Sequence, residues 1–466
     1  MAGRPHPAAP RSTQTTEPEL YDVIGVGFGP ANLALAIAID EHNARLDPSD
    51  RRRAVFLEQQ EQFGWHRGML IDGATMQVSY LKDLVTLRNP TSDFSFLSYL
   101  HGCARLVDFI NHKTMFPLRH EFHDYLEWAA DRLDHLVEYG QTVSTLRPVV
   151  EGGEITHIDV VSRDRAGRTT VRRARNVVVA LGLEPRLPAG FALDDRIWHN
   201  RDLLDRLGDL PPLRHGRFVV VGAGQSGAEV TDYLHRSFPT AEVHAVFSRY
   251  GYSPADNSPF ANQIFDPDAV DDYFHASADV RRMLTDYHRS TNYSVVDMDL
   301  IEELYRRVYQ EQVRGPRRLH LVRASRLAAV ERRDDGLRTT IEFLPTGARR
   351  DLDVDVVVFA TGYRSRQPRA LLGEGAEAYR VDDAGRPLIT RDYRLVPTGP
   401  ASAAVYVTGA TEHTHGISST LLSNVAVRAG EILASVLARA DSAGSAGTTP
   451  ADDARPGDPR LVSALR

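Results

Sequence analysis

The sequence predicts an α/β protein with two doubly wound parallel-sheet units and a smaller, mainly helical insertion. Three observations carry this reading. Apolar runs at 23–26 and 219–221 each enter a glycine turn, Gly25-Val26-Gly27-Phe28-Gly29-Pro30 and Gly222-Ala223-Gly224-Gln225-Ser226-Gly227, and each turn opens a helical pattern. The stretch 250–314, polar and aromatic, interrupts the second unit just after its second strand. At 466 residues the chain has room for two or three cores.

The ends come first. Residues 1–19 are Pro-rich and then Ser/Thr/Gln-rich, and 441–466 are rich in Ala, Gly, Ser, Asp and Pro. Both read as disordered tails, without the apolar segment of a signal peptide or membrane anchor. The first unit runs from Tyr21 through the glycine turn and its helix. A charged stretch from Asp40 to Arg53 reads as a surface loop, and a second strand, 54–57, ends at Glu58. Phe122, Tyr125, Leu126, Trp128, Ala129 and Leu133 give 118–140 helical spacing. Strands follow at 155–160 and 176–181, the latter ending at Gly182, and Pro185, Pro188, Pro211 and Pro212 mark a linker. The second unit has strands at 219–221 and 243–247, the latter ending at Ser248-Arg249. Beyond it come a helix over 297–313, strands at 320–322, 341–343, 355–360 and 404–407, and a last helix over 418–438. These place the first unit at 20–190 with 370–440, the second at 205–255 with 315–369, and the insertion at 256–314.

The strand after each turn says which nucleotide each Rossmann-like unit takes. Glu58 can accept hydrogen bonds from both ribose hydroxyls and repels a ribose phosphate, which predicts FAD in the first unit. Ser248 and Arg249 offer a hydroxyl and a guanidinium without an acid, which predicts NADPH in the second. Pro30 replaces the third glycine of the first turn, and proline is tolerated at a first helical position because its missing N–H would have no partner there.

Composition narrows the chemistry further. A hydrophobic content of 42% and a charged content of 25% are ordinary for a globular protein, and a net charge of −7 gives no reason to expect nucleic acid or an anionic membrane as partner. Cys103 is the only cysteine, which excludes a disulfide framework, a cysteine zinc site and the thiol pair of flavin disulfide reductases. It reads as a small hydrophobe in a helix. His413 and His415 without carboxylate or thiol partners make a poor metal site and read as structural histidines beside the flavin. The protein is expected in the cytoplasm.

Taken in order, several segments resemble the flavin-dependent N-hydroxylating monooxygenases of siderophore biosynthesis, most closely the L-ornithine N-monooxygenase branch. They are the first glycine turn, Trp65-His66-Arg67-Gly68-Met69 with Met76-Gln77, Leu81-Lys82-Asp83-Leu84, Arg88-Asn89-Pro90-Thr91 and Asp256 to Asn262. Thr291-Asn292-Tyr293-Ser294, Ala360-Thr361-Gly362-Tyr363 and His415-Gly416-Ile417-Ser418 leading to Leu421-Leu422-Ser423 complete the set. The resemblance covers about 20–440. It implies that Lys82, Asn262, Asn292 and Ser423 bind the amino-acid substrate. It implies FAD contacts for Gly25, Gly27, Gly29, Pro30, Glu58, Trp65, His66, Gln77, Thr420, Leu421 and Leu422. NADPH contacts fall to Gly222, Gly224, Gln225, Ser226, Gly227, Ser248, Arg249, Tyr293 and Ser294, although relatives usually carry arginine where this chain has Ser248. Without the resemblance, Lys82 reads as an ordinary surface lysine and both asparagines as turn or cap residues.

The implied reaction needs no catalytic side chain beyond the flavin and no metal. NADPH reduces FAD, dioxygen adds to form a flavin hydroperoxide, and the side-chain amine of L-ornithine takes the distal oxygen to give N-hydroxyornithine for hydroxamate siderophores. L-Lysine differs by one methylene, worth about 0.8 kcal/mol of burial, and is the alternative substrate. A flavoprotein oxygenase acting on carbon or sulfur is the second alternative, but the linker Arg196-Ile197-Trp198-His199-Asn200 lacks the motif of that class. Relatives are often tetramers, so a homo-oligomer is expected.

Overall fold

The apolar run at the start of the first unit becomes the strand Leu20–Val26, which pairs in parallel with Ala54–Glu58 on one side and Thr169–Val179 on the other. Shielded on both faces, it has no need to alternate polar and apolar residues. The computed structural model describes residues 18–210 and 212–444, so most of both expected tails, and Pro211, lie outside the described residues. The first sheet has seven strands, in the order Val137–Tyr139, Ala54–Glu58, Leu20–Val26, Thr169–Val179, Glu154–Arg163 and Thr142–Glu151, with Ala404–Val407 parallel to Thr169–Val179. The helix Pro30–Asn43 packs on one face with Asn32 through Ile39 buried, and the final helix Val425–Gly444 lies against it.

The second sheet has five parallel strands in the order Leu319–Val322, Glu242–Val246, Arg217–Val221, Val356–Phe359 and Ile197–His199. Its edge strand Ile197–His199 precedes position 205, where the sequence placed the start of this unit. A three-stranded antiparallel sheet, Ser325–Arg333, Gly336–Phe343 and Ala348–Val354, leans on it. Only a fragment of that sheet was legible, because strands such as Ala348–Val354 (ARRDLDV) are charged and mostly exposed and hide the period-two pattern.

Other boundaries moved for physical reasons. The helix expected over 118–140 is Arg119–Asp131, since Val137–Tyr139 is taken up by the sheet edge beside Ala54–Glu58. The last helix begins at Val425 rather than 418 and runs on to Gly444, into the expected tail. Residues 417–424 instead form 3₁₀ turns, whose Ser419 and Leu421 carbonyls accept hydrogen bonds from the Arg428 guanidinium. Cys103 is exposed and caps the helix Phe96–Gly102 rather than packing inside it. The insertion contains Pro259–Asn262, Ala269–His275, Ala278–Tyr287 and Met298–Arg314; the first three are too short for their periodicity to register. Among the described residues, no helix is long and apolar enough to cross a membrane.

Candidate active site

Both glycine turns open onto one cleft of about 3550 Å³, several times the volume of a pocket for one drug-sized ligand. Each turn is pressed against the end of a neighbouring strand. Gly27 has φ +83°, and a Cβ there would lie 2.5 Å from the Ala180 carbonyl oxygen; Gly222 has φ +146°, and its Cβ would lie 2.2 Å from that of Ala360. Only glycine fits either position. The helices that follow, Pro30–Asn43 and Gln225–Ser237, start without a side-chain cap and with no acid in the first turn. Their free N–H groups and positive dipole ends are therefore available to anionic groups in the cleft.

The strand ends differ as the sequence predicts. The buried Glu58 carboxylate accepts from Phe28 N (2.7 Å) and Gln60 N (2.8 Å), so it braces the first turn while lining the cleft. At the second strand end, Arg249 reaches into the insertion and donates to the Ser294 carbonyl (2.9 Å). Ala324 N bonds the Arg249 carbonyl (2.7 Å), which brings Arg326 to the same wall. Arg326 was not singled out from sequence, because the contact joins segments far apart in the chain.

Lys82, Asn262, Asn292 and Ser423 all line this cleft. Lys82 makes no ion pair with any described residue, although Asp83 is adjacent. The reason is local: the buried Asp83 carboxylate is saturated by Val85 N (2.9 Å), Thr86 N (2.6 Å), Thr86 Oγ1 (2.9 Å) and Phe96 N (2.8 Å). Burial pushes the Asp83 carboxyl upward while these hydrogen bonds oppose it. The loop is thus fixed and the ammonium left for a ligand. Composition held a further signal, since lysine occurs only at 82 and 113 among 55 Lys and Arg residues. Asn262 closes the helix Pro259–Asn262 and Asn292 follows the turn His288–Thr291, so both also have the cap-like positions that the bland reading assigned them.

A polar clasp joins three parts of the molecule at this wall. Arg119, which opens the helix Arg119–Asp131, donates two hydrogen bonds to Glu229 on the helix after the second glycine turn (2.9 and 2.7 Å). Gln225 bonds Glu229 (3.0 Å) and accepts from the backbone N–H of Asp297 (2.9 Å), the residue preceding the helix Met298–Arg314. Gln77 bonds the Asp297 side chain, whose carboxyl is raised chiefly by burial. Tyr293 donates to Glu412 (2.7 Å), and burial followed by that carboxylate pushes its phenol upward.

The remaining predicted residues also line the cleft, except Gly25 and Gly227. These two serve packing behind the turns: a Cβ on Gly25 would meet the Phe56 ring at 2.1 Å, and one on Gly227 the Gly222 carbonyl at 2.7 Å. Only one of the two histidines expected beside the flavin faces the cleft. His413 does, with its Nε2 on the Pro387 carbonyl (3.0 Å), whereas His415 is buried, stacked on Tyr393 and bonded to the Arg391 carbonyl (3.1 Å). Burial lowers the His415 pKa to about 3. Two uncapped glycine turns, an acid at one strand end, none at the other and, in the same cleft, a lysine with no ion pair among the described residues fit two dinucleotides and a carboxylate-bearing substrate.

Comparison with known proteins agrees with this geometry. Residues 19–365 match the family model described as L-lysine 6-monooxygenase/L-ornithine 5-monooxygenase. The chain is 41% identical to an L-ornithine N(5)-monooxygenase of Burkholderia cepacia, over 85% of this chain and 90% of that one. It superposes with TM-score 0.86 and 47% identity on an ornithine N-hydroxylase of Kutzneria sp. 744, solved with reduced FAD, NADP⁺ and L-ornithine, over 90% of this chain and 100% of the other. An L-lysine 6-monooxygenase of Pseudomonas syringae gives TM-score 0.78 and 33% identity, over 90% of this chain and 99% of its own length.

Proposed function

The chain belongs to the family of L-lysine 6-monooxygenases and L-ornithine 5-monooxygenases, and on that premise we propose that it hydroxylates the side-chain amine of L-ornithine using FAD, NADPH and dioxygen. The observation that carries the reading is the Lys82 ammonium, unpaired among the described residues, in the same cleft as two uncapped, glycine-seated helix starts. The product, N-hydroxyornithine, is a hydroxylamine whose acylation gives the hydroxamate groups of siderophores.

FAD would be held by Gly27, Gly29, Pro30 and Glu58, with Trp65, His66, Gln77 and the 420–422 turn completing its seat; Gly25 supports the turn from behind. The second turn would hold NADPH, with Gly222, Gly224, Gln225 and Ser226 available to its pyrophosphate, Gly227 packing behind them, and Ser248 and Arg249 available to its ribose phosphate. Tyr293 and Ser294, which line the same wall, would complete its seat. When bound, FAD reduced by NADPH supplies the activated oxygen. The chain's own part is binding, orientation and exclusion of water.

Lys82 holds the substrate α-carboxylate by a charge-assisted bond, and Asn262 and Asn292 share that end of the molecule. Ser423 lies toward the amine. With its carboxylate anchored, the substrate would present the amine to the cofactor, and desolvation by the bound cofactors and cleft walls favours the neutral, nucleophilic form. The Arg119–Glu229 clasp keeps the two nucleotide units in register. We place the protein in the cytoplasm and read it as a homo-oligomer, a tetramer by family habit. Exposed apolar residues such as Val107, Ile110, Tyr305, Tyr309 and Val313 support subunit contacts. Light scattering tests the last point, and NADPH consumption with hydroxylamine assay across ornithine, lysine and simple diamines tests the reaction. Turnover of a ketone or thioether in place of every amine overturns it.

A further inference from the structure

Arg428 stands in the opening turn of the helix Val425–Gly444, lines the cleft beside Ser423 and is 5% exposed. Its guanidinium donates to the Ser419 carbonyl and to that of Leu421 (3.1 Å), while Nε has no partner among the described residues. No carboxylate among the described residues forms an ion pair with it. The titratable groups around it are Tyr393, Glu431 and His415. Glu431 is engaged by Arg391 (2.8 Å), and His415 is neutral in its buried setting. Burial lowers the arginine pKa, which marks a charge held at a cost. The cost is compounded, because cations are disfavoured at the positive end of a helix and this first turn contains no acid. One turn before it, behind the cleft wall, Asn424 is 4% exposed and neither atom of its amide has a hydrogen-bond partner among the described residues. Such a buried positive charge at a helix start favours an anionic group placed in the cleft beside it.

We propose that Arg428 is the fixed counter-charge for the reduced cofactor and sets its reduction potential. The inference rests on the reading of this cleft as the FAD site. A hydride brings two electrons and one proton, so the ring system that accepts it gains one negative charge. A buried cation reinforced by a helix N-terminus favours that charged form over the neutral oxidised one. Arg428 therefore acts on the cofactor's electronics as well as clasping the 417–424 turns.

The test is the two-electron midpoint potential of the FAD-loaded protein, measured by dye equilibration in wild type, Arg428→Gln, Arg428→Lys and Asn424→Asp. Arg428→Gln should disfavour reduction at least tenfold, about 30 mV more negative for a two-electron couple. Arg428→Lys, which keeps the charge but not the two-carbonyl fork, should stay within threefold of wild type. Asn424→Asp places a carboxylate one helical turn away and should shift the potential in the same direction as Arg428→Gln, even if that variant fails to hold FAD. Unchanged potentials in Arg428→Gln and Asn424→Asp, or equal shifts in the glutamine and lysine variants, overturn the inference and leave only the clasp. A wild-type protein that binds no FAD would instead overturn the reading of the cleft.

Discussion

Replacing Glu229 with glutamine removes the charge from the clasp while keeping its shape. Arg119 and Glu229 side chains are only 12% and 6% exposed, so solvent does little to screen their two hydrogen bonds of 2.9 and 2.7 Å. Removing one partner of a buried pair costs about 3–5 kcal/mol, mostly because the other charge is left uncompensated. Glutamine retains one acceptor and Arg119 retains the Met69 carbonyl (2.9 Å), which argues for the lower end, about 3 kcal/mol. The pair joins the helix Arg119–Asp131 of the first unit to the helix after the second glycine turn, so the loss falls on docking of the nucleotide units. A shift of that size is roughly two orders of magnitude in the docked population. Anaerobic stopped-flow should show slow FAD reduction by NADPH in Glu229→Gln, with reduction by dithionite unchanged and a lower melting temperature. Replacing both residues together with methionine should recover stability, because the uncompensated charge is gone. A single variant with wild-type reduction rate and melting temperature would refute the clasp.

Gly222→Ala should weaken NADPH binding while FAD content stays normal. Its φ of +146° and a Cβ only 2.2 Å from the Ala360 oxygen cost about 2–3 kcal/mol or more, and an NADPH titration within threefold of wild type would contradict this. Lys82→Ala should raise the KM for ornithine by one to two orders of magnitude, from loss of a charged hydrogen bond worth about 1.5–3 kcal/mol, without altering the KM for NADPH; an unchanged ornithine KM removes Lys82 from the site. Stability should fall as pH drops from about 6.5 toward 4. His199 is buried with Nε2 on the Gly362 carbonyl (3.1 Å) and Nδ1 accepting from Arg201 N, and burial lowers its pKa to about 4, as it does for His244. The unfolded chain takes up these protons before the folded one, so denaturant midpoints should decline across that window and be flat above it.

The fold was legible where signals are local. Each turn announces itself together with the strand that precedes it, and Glu58 follows the first turn closely in the chain, because backbone geometry demands glycine and ribose recognition demands an acid. The long-range partners did not, since nothing around Arg119 points to Glu229, 110 positions away. Lys82 illustrates the boundary between the two. Its residue type suggests a surface charge, and only the saturation of Asp83 by four donors explains why the ammonium stays free in the cleft. Short helices and charged edge strands were missed for a simpler reason, as their burial pattern is too brief or too polar to show a period.

The central claim is that this cleft delivers oxygen to the amine of ornithine. Its most direct measurement is hydroxylamine formed per NADPH oxidised, with ornithine and lysine each at saturation. N-hydroxyornithine is expected in near-stoichiometric yield, and NADPH oxidised by dioxygen in the presence of lysine is expected to give no comparable yield of hydroxylated amine. NADPH oxidation that yields only hydrogen peroxide with ornithine would contradict it.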